Sequence, residues 1–513
     1  MLAKLHSVTL EGIEGTVCEV EVDVARGGFE KQMVVGLPDP AVKESTERVR
    51  SAITNSGFTY PDTRSLVNLA PADVRKVGPA FDLPIALGML AATGNLLPDG
   101  LRDCVIVGEL ALDGRVRPVQ GVLSMALTAA AAGFGRLIVP LENAEEAAVV
   151  NGIEVFGVGS LSQAVGFLSD ALPLEATSVD LNAVFSRASR YDCDFAEVKG
   201  QETAKRALTI AAAGGHNVMM IGPPGAGKTM LAQRLATILP PLALAESLET
   251  TRIYSAVGLL PHSTALIATR PVRAPHHTAS GPALVGGGTM PRPGELSLAH
   301  HGILFLDEFA EFPRHVLEMI RQPLEEGTVT VARARGTITF PARFILVAAM
   351  NPCPCGYFGM RDRKCRCSPG QIERYLGKVS GPLLDRIDLH IDVPPVAFRK
   401  LRGRGDQETS EAIRRRVCAA RVVQQERFAP ERQDGRIVTN ATMTHRQVER
   451  FCPLDAAGEQ LLRSAMAEFG LSARAHDKIL KVARTIADLE GDAGIGAAHI
   501  AEAIGYRKLD RKL

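Results

Sequence analysis

Over residues 1–168, short runs rich in β-branched residues ("TVCEVEVDVA", "MVVGL", "SLVNLA", "CVIVGEL", "RLIVP") alternate with stretches of helical spacing ("AVKESTERVRSAITNSG", "LSMALTAAAAGFG"). Period-2 and period-3.6 patterns taking turns, separated by turn residues, predict an α/β unit. From Ala171 to Phe195, "ALPLEATSVDLNAVFSRASRYDCDF", the periodicity lapses, and residues 169–195 read as a linker. A second α/β unit is expected over 196–395, ending at "DVPPV". Beyond it, over 396–513, the pattern turns helical. Leu462, Ala465, Met466 and Phe469 fall at i, i+3, i+4 and i+7 before Gly470, and Ile479, Val482, Ala483 and Ile486 repeat that stripe.

A chain of 513 residues has room for two or three domains, each with a core of its own. The composition, 46% hydrophobic and 22% charged, is that of a globular protein. No apolar run approaches the roughly 18 residues that would span a bilayer, and "MLAKLHSVTLEGIEG" lacks the layout of a secretory leader. A cytoplasmic protein without a membrane segment is expected. In that compartment thiols stay reduced, so a cysteine cluster points to metal binding or catalysis before disulfides. The net charge of +1 means that any site for a polyanion must be local.

The strongest chemical signal is "GPPGAGKT", formed by Gly222, Pro223, Pro224, Gly225, Ala226, Gly227, Lys228 and Thr229. It follows the apolar run "NVMMI" and opens a helical stretch, "MLAQRLATIL", which is the setting of a P-loop. There, glycines turn backbone N–H groups around phosphate oxygens, Lys228 reaches the β and γ phosphates of ATP, and Thr229 offers its hydroxyl to Mg2+. "GILFLDE", Gly302 to Glu308, then reads as a strand delivering two carboxylates to the same site. Asp307 would hold magnesium and Glu308 would orient and polarise the attacking water. The run "FILVAAMN" ends in Asn351, a polar group at the carboxyl edge of a third strand, where its amide could position that water. In "VSGPLLDRIDLHIDVP", Arg386 stands between Asp385 and Asp388; it is either a surface partner of those acids or an arginine finger for a neighbour's γ-phosphate.

These motifs resemble a family. Residues 196–513 look like an AAA+ ATPase of the magnesium-chelatase-like group, and the whole chain resembles the ComM (YifB) family through "RPVRAPHHTASGPALVGGGTMPRPGELSLAHHGILFLDE", "NPCPCGY", "VSGPLLDRIDLH" and "LSARAHDKILKVARTIADL". The resemblance implies an αβα P-loop core, a helical lid and a hexameric ring with ATP between subunits. In that frame Arg386 becomes the finger, and Arg474, at the start of a lid helix, the second sensor. The segments around "LVGGGTMPRPGE" and "TVTVARARGTITF" become the inserted loops of such rings. The second also reads independently as a β-hairpin whose turn carries Arg333 and Arg335, suited either to a DNA backbone or simply to solvent.

The first 168 residues resemble the fold shared by the Lon proteolytic domain and the C-terminal domain of RadA (ribosomal S5 domain 2-like), in "RKVGPAFDLPIALGML" and "VGELALDGRVRPVQGVLSMALTAAAAGFGRLIVPLENAEEA". A Lon-type protease needs a serine and a lysine. Here Ala80 stands at the serine position, "VQGVLSMAL" holds no lysine, and Ser124 has no evident base, so an interaction or DNA-contacting platform is expected instead.

Four of the nine cysteines, Cys353, Cys355, Cys365 and Cys367, lie in an insertion at 353–367 as two C-x-C pairs nine residues apart. Four thiolates suffice for a closed zinc site and Gly356 suits its turn, although C-x-C is tighter than the usual ligand spacing. Reduced thiols or a redox switch are the other readings, and the basic residues Arg361, Arg363, Lys364 and Arg366 are either DNA contacts or a solvated loop tip. His276 and His277 read as structural hydrogen-bonding groups. Together with the resemblance, the motifs imply an ATP-driven ring motor that moves branched and single-stranded DNA during recombination, in natural transformation, alongside recombination proteins. The alternatives are a protein-remodelling or magnesium-chelatase-like motor and a nucleotide-switched scaffold whose first domain recruits other factors.

Overall fold

The computed structural model describes residues 2–507, except 26, 28–30, 189–190, 262–263, 289–290, 334–335, 361–362, 397–406 and 432–437. The chain forms two compact units, Met1–Ala188 with Ala243–Ala268, and Ser189–Leu242 with Thr269–Leu513. Among the described residues no helix is long and apolar enough to cross a membrane.

The first unit is built on a seven-stranded sheet in the order Gln32–Val35, Ser65–Ala70, Glu14–Val24, Leu2–Glu11, Cys104–Ile106, Arg136–Pro140 and Glu154–Val158. A long antiparallel hairpin, paired from Leu2 with Asp23 to Glu11 with Glu14, forms its centre, and parallel strands extend it beyond Leu2–Glu11. Side chains alternate between two cores, as the two-residue strand period demands. Ile106 and Ile138 join the core that holds the fully buried helix Asp82–Ala92, whereas Val105, Leu137 and Val139 join the one that holds Val122–Ala131. Ser124 is buried on that second helix, donating to Ile13 O at 2.8 Å and accepting from Arg252 Nε at 3.2 Å, so its hydroxyl is spent on structure.

Two sequence expectations change here. The linker read over 169–195 contains a helix, Leu181–Ala188, whose first amides at Asn182 and Ala183 are capped by Asp180 and whose Leu181 and Val184 pack on the second core. The segment Ala243–Ala268, expected within the P-loop unit, belongs to the first. Its helix Leu244–Ala256 is fastened there by Arg252 to Ile13 O (3.0 Å) and Glu14 (2.9 Å), and by Ser255 to the buried carboxylate of Glu146, which also accepts from Leu123 N at 2.9 Å. Burial pushes Glu146 up, and these hydrogen bonds work against that rise.

The second unit holds an all-parallel five-stranded sheet in the order Val272–Arg273, Ile303–Leu306, Ile345–Met350, Val218–Ile221 and Leu389–Asp392. Ile303–Leu306, Ile345–Met350 and Val218–Ile221 are buried at every position, which is why they read as continuous apolar runs. Helices Glu202–Gly214, Lys228–Ile238, Ser410–Phe428, Ala473–Glu490 and Ala497–Gly505 share one core with this sheet. The helical region predicted over 396–513 therefore packs into the core of the sheet instead of building a separate one, because Val417, Ala420, Ile479 and Val482 meet Ala207, Leu208 and Leu235 there.

The helices are pinned together at Asp488, which is fully buried and accepts from Arg427 Nη1 (2.9 Å), Arg484 Nε (3.0 Å) and Asn440 Nδ2 (2.8 Å). Removing the carboxylate strands two guanidiniums in a low-dielectric interior. Asp488→Ala is expected to lower the unfolding free energy of this unit by about 3–5 kcal/mol, measured by urea denaturation.

Candidate nucleotide site

The geometry starts from strand register. Ile221 lies beside Met350 on one flank and Asp392 on the other, so the residues that follow, Gly222, Asn351 and Val393, emerge together at the carboxyl edge of the sheet. Gly222 N bonds Met350 O at 3.2 Å, and a Cβ on Gly222 would lie 2.2 Å from Val393 O, so no larger residue fits. Gly225 and Gly227 adopt positive φ, +76° and +89°, which turns the loop back over the start of helix Lys228–Ile238. The loop and the first turn of that helix supply backbone N–H donors and a positive dipole end.

Lys228 Nζ sits in the middle of this arrangement, 2.7 Å from Gly222 O, 3.1 Å from Pro223 O and 3.2 Å from Asn351 Oδ1. Burial pushes its ammonium below the ordinary lysine value, and the carboxylate of Asp307 works in the opposite direction. Thr229 donates to Asp307 at 2.8 Å, so the two groups expected to face a magnesium ion are already side by side. Glu308 follows with φ of +51°, a left-handed conformation that swings its carboxylate off the strand axis, and its amide caps Asp307 at 2.8 Å. Lys228, Thr229, Asp307, Glu308 and Asn351 are thus brought to one sheet edge. The arrangement can bind phosphates through N–H groups and a cation, hold a divalent ion on a hydroxyl and a carboxylate, and present a second carboxylate to water.

Two participants have no signature in the linear pattern. His277 Nδ1 lies 2.9 Å from Glu308, while its neighbour His276 bonds the hydroxyl of Thr278 at 2.9 Å. His276 makes the expected hydrogen bond, whereas His277 stands at ion-pair distance from a site carboxylate. Tyr375, buried on helix Pro369–Leu376, lies beside the backbone of Asn351; burial, joined by the charge of Glu311, pushes its phenol up to about 12.

Other candidates lie apart. Arg386 pairs with neither Asp385 nor Asp388; it meets Glu325 at 2.5 Å and Pro382 O at 2.6 Å. Asp388 instead turns inward to Lys478 (2.6 Å) and Asn217 N (2.9 Å), beside His216 at 3.6 Å. Burial alone would raise its carboxyl, but Lys478 and His216 prevail and hold it well below the usual range. That ion pair ties the segment after Arg386 to helix Ala473–Glu490, whose first turn carries Arg474, exposed. The predicted hairpin is present as Thr328–Arg333 paired with Gly336–Pro341. Arg335 and Arg361 lie outside the described residues, as does the side chain of Arg333. The sulfurs of Cys353, Cys355, Cys365 and Cys367 converge within 4.8 Å of one another.

A parallel sheet with this loop and these acids at its carboxyl edge defines a mixed α/β protein of the P-loop type. Comparison with known families agrees and narrows the class: "Magnesium chelatase, subunit ChlI" matches residues 194–401, "Subunit ChlI of Mg-chelatase" residues 20–143, and "Magnesium chelatase, subunit ChlI C-terminal" residues 407–507. Competence protein ComM of Haemophilus influenzae is 46% identical over 100% of this chain and 98% of its own length, and YifB of Escherichia coli is 43% identical over 100% and 98%. The magnesium-chelatase 38 kDa subunit of Rhodobacter capsulatus is 26% identical over 60% of this chain and 84% of its own. The chain belongs to the ComM/YifB family of magnesium-chelatase-like proteins.

His277→Ala is expected to lower kcat for ATP hydrolysis by about tenfold, the worth of one close polar contact to a charged group. KM should change little, because His277 touches Glu308 and not the phosphate loop. Steady-state kinetics checks this, with Lys228→Ala as the variant that loses nucleotide binding itself.

Proposed function

We propose that this chain is an ATP hydrolase that works as a hexameric ring and moves branched DNA, a branch-migration helicase for recombination intermediates during natural transformation. The observation that carries the ATPase part is the convergence of Lys228, Thr229, Asp307, Glu308 and Asn351 at one sheet edge, with Mg2+ taken up by Thr229 and Asp307. The ring part draws on Arg386. Its guanidinium has no partner at the phosphate loop of its own chain, and its Nε is buried without a hydrogen bond among the described residues. In a ring it would reach the neighbour's γ-phosphate after leaving Glu325, and Arg474 would act as the second sensor from a helical lid.

The DNA part draws on the full-length similarity to a protein named for competence and on the hairpin. Arg333 and Arg335 at its turn would line the ring's opening and track phosphates without reading bases. The first unit is read as a Lon/RadA-like domain without peptidase chemistry, since its Ser124 is buried and hydrogen-bonded, and it would contact DNA or recombination proteins. Similarity to a magnesium-chelatase subunit supports the competing reading, in which the same engine remodels a protein.

Purified protein is expected to migrate labelled four-way and three-strand junctions only with ATP and intact Lys228, and Arg333→Ala with Arg335→Ala should abolish both migration and DNA-stimulated hydrolysis. Arg386→Ala should lose hydrolysis while still binding nucleotide. ATP turnover that DNA neither stimulates nor couples to movement would assign the motor to a protein substrate.

A further inference from the structure

The insertion at 353–367 follows Asn351 directly. Among its described residues only Cys353 and Gly356 are buried, so it has no apolar core to hold its shape. Its sulfurs nevertheless converge: Cys353 and Cys355 lie 3.4 Å apart, Cys353 and Cys365 3.7 Å, and Cys355 and Cys365 3.6 Å, with Cys367 completing the group. Four sulfurs at about 2.3 Å from a central zinc in a tetrahedron are about 3.8 Å apart, whereas a disulfide requires about 2.0 Å. A backbone amide points at one of these sulfurs: Cys367 N donates to Cys365 Sγ at 3.4 Å. Such a donor stabilises a thiolate, and the turn at Gly356 (φ +83°) gives the first pair its curvature.

Both ends of this cluster bear on the nucleotide site. At the first, Gly356 is packed against the phosphate loop so closely that a Cβ would lie 2.5 Å from Pro224 Cδ. At the other, Cys367 leads into helix Pro369–Leu376, capped by Ser368, and this helix brings the buried Tyr375 beside Asn351. Asn351, which binds Lys228, is therefore flanked by Gly356 and Tyr375, on chain that the cysteines tie together.

We propose that Cys353, Cys355, Cys365 and Cys367 bind one zinc ion, and that this ion holds Pro224 and Asn351 in the positions the nucleotide site requires. The second half rests on the reading of Gly222–Thr229 as that site. Zinc is then a structural staple for the phosphate loop, and the protein's capacity to bind nucleotide follows zinc supply and thiol oxidation.

Metal analysis of the full chain is expected to find one zinc per chain, lost in Cys365→Ser with Cys367→Ser. Displacing the metal with an organomercurial, followed by thiol regeneration in the presence of chelator, should weaken binding of a fluorescent ATP analogue by at least about tenfold, and added zinc should restore it. Gly356→Ala keeps all four cysteines, so it should retain zinc yet lose affinity through its clash with Pro224; it carries the test if the stripped chain unfolds in circular dichroism. No metal, or iron in place of zinc, overturns the site. Full zinc with unchanged nucleotide affinity in both the stripped chain and Gly356→Ala overturns the coupling. A zinc-loaded chain that binds no nucleotide sinks the reading of the phosphate loop, and the coupling with it, while leaving the zinc count standing.

Discussion

The pairing of Val218–Ile221 between Ile345–Met350 and Leu389–Asp392 is the constraint on which the candidate site depends. Because the three strands run parallel and in register, their carboxyl ends arrive at one level, and what each chain does next is decided there. One turns into the phosphate loop, one ends in Asn351 and the third runs on through Val393. The absence of a side chain at Gly222 lets the first pass the third at contact distance. Lys228 then closes the edge by binding carbonyls of its own loop and the amide of Asn351. A slip of one residue in any of these strands would turn its apolar side chains to the opposite face and separate Lys228 from Asn351.

Buried charge organises the rest of this unit. Asp388 with Lys478, and Asp488 with Arg427, join segments far apart in the chain, and Arg484 supports Asp488 from the same helix. Such pairs contribute little net stability over an apolar packing, but breaking one side of them is costly. They therefore specify which segments meet. Asp388 shows the sign of this effect with pH. Its carboxyl is held below the unfolded value, so the folded state binds fewer protons than the unfolded one. Its stabilisation is present above the unfolded value of about 3.9 and is lost as the pH falls towards the folded one.

The parts of this arrangement that could be read in the sequence are those carried by neighbours along the chain. "GPPGAGKT" after a buried strand, two acids after "ILFL" and an asparagine after "ILVAAM" are local patterns, and the structure places all three at one edge. Pairings across distance leave no such mark. Nothing near Arg386 points to Glu325, and the flanking Asp385 and Asp388 suggest the wrong partners. His277 has no local sign that it meets Glu308. The helix Leu181–Ala188 was legible in principle, through Asp180 as a cap and the apolar pair Leu181 and Val184, but its short length hid it. The helical region beyond Ser410 read correctly as helices; its merger with the sheet's core depends on which faces meet, which periodicity does not say.

Helix Leu244–Ala256 belongs to the first unit although the chain on either side of it belongs to the second. The backbone therefore passes between the units at three places, near residues 188, 242 and 268. A single tether can be cut without consequence for either part. Three cannot, because a chain shortened to begin at Ser189 would keep Arg252 and Ser255 but lose Ile13, Ser124 and Glu146, to which they are bonded. The stranded segment Ala243–Ala268 would expose Leu248, Ala265 and Leu266 to water, and the remaining piece would tend to aggregate. The two units are in this sense inseparable by truncation, and such a family would be expected to gain or lose them together.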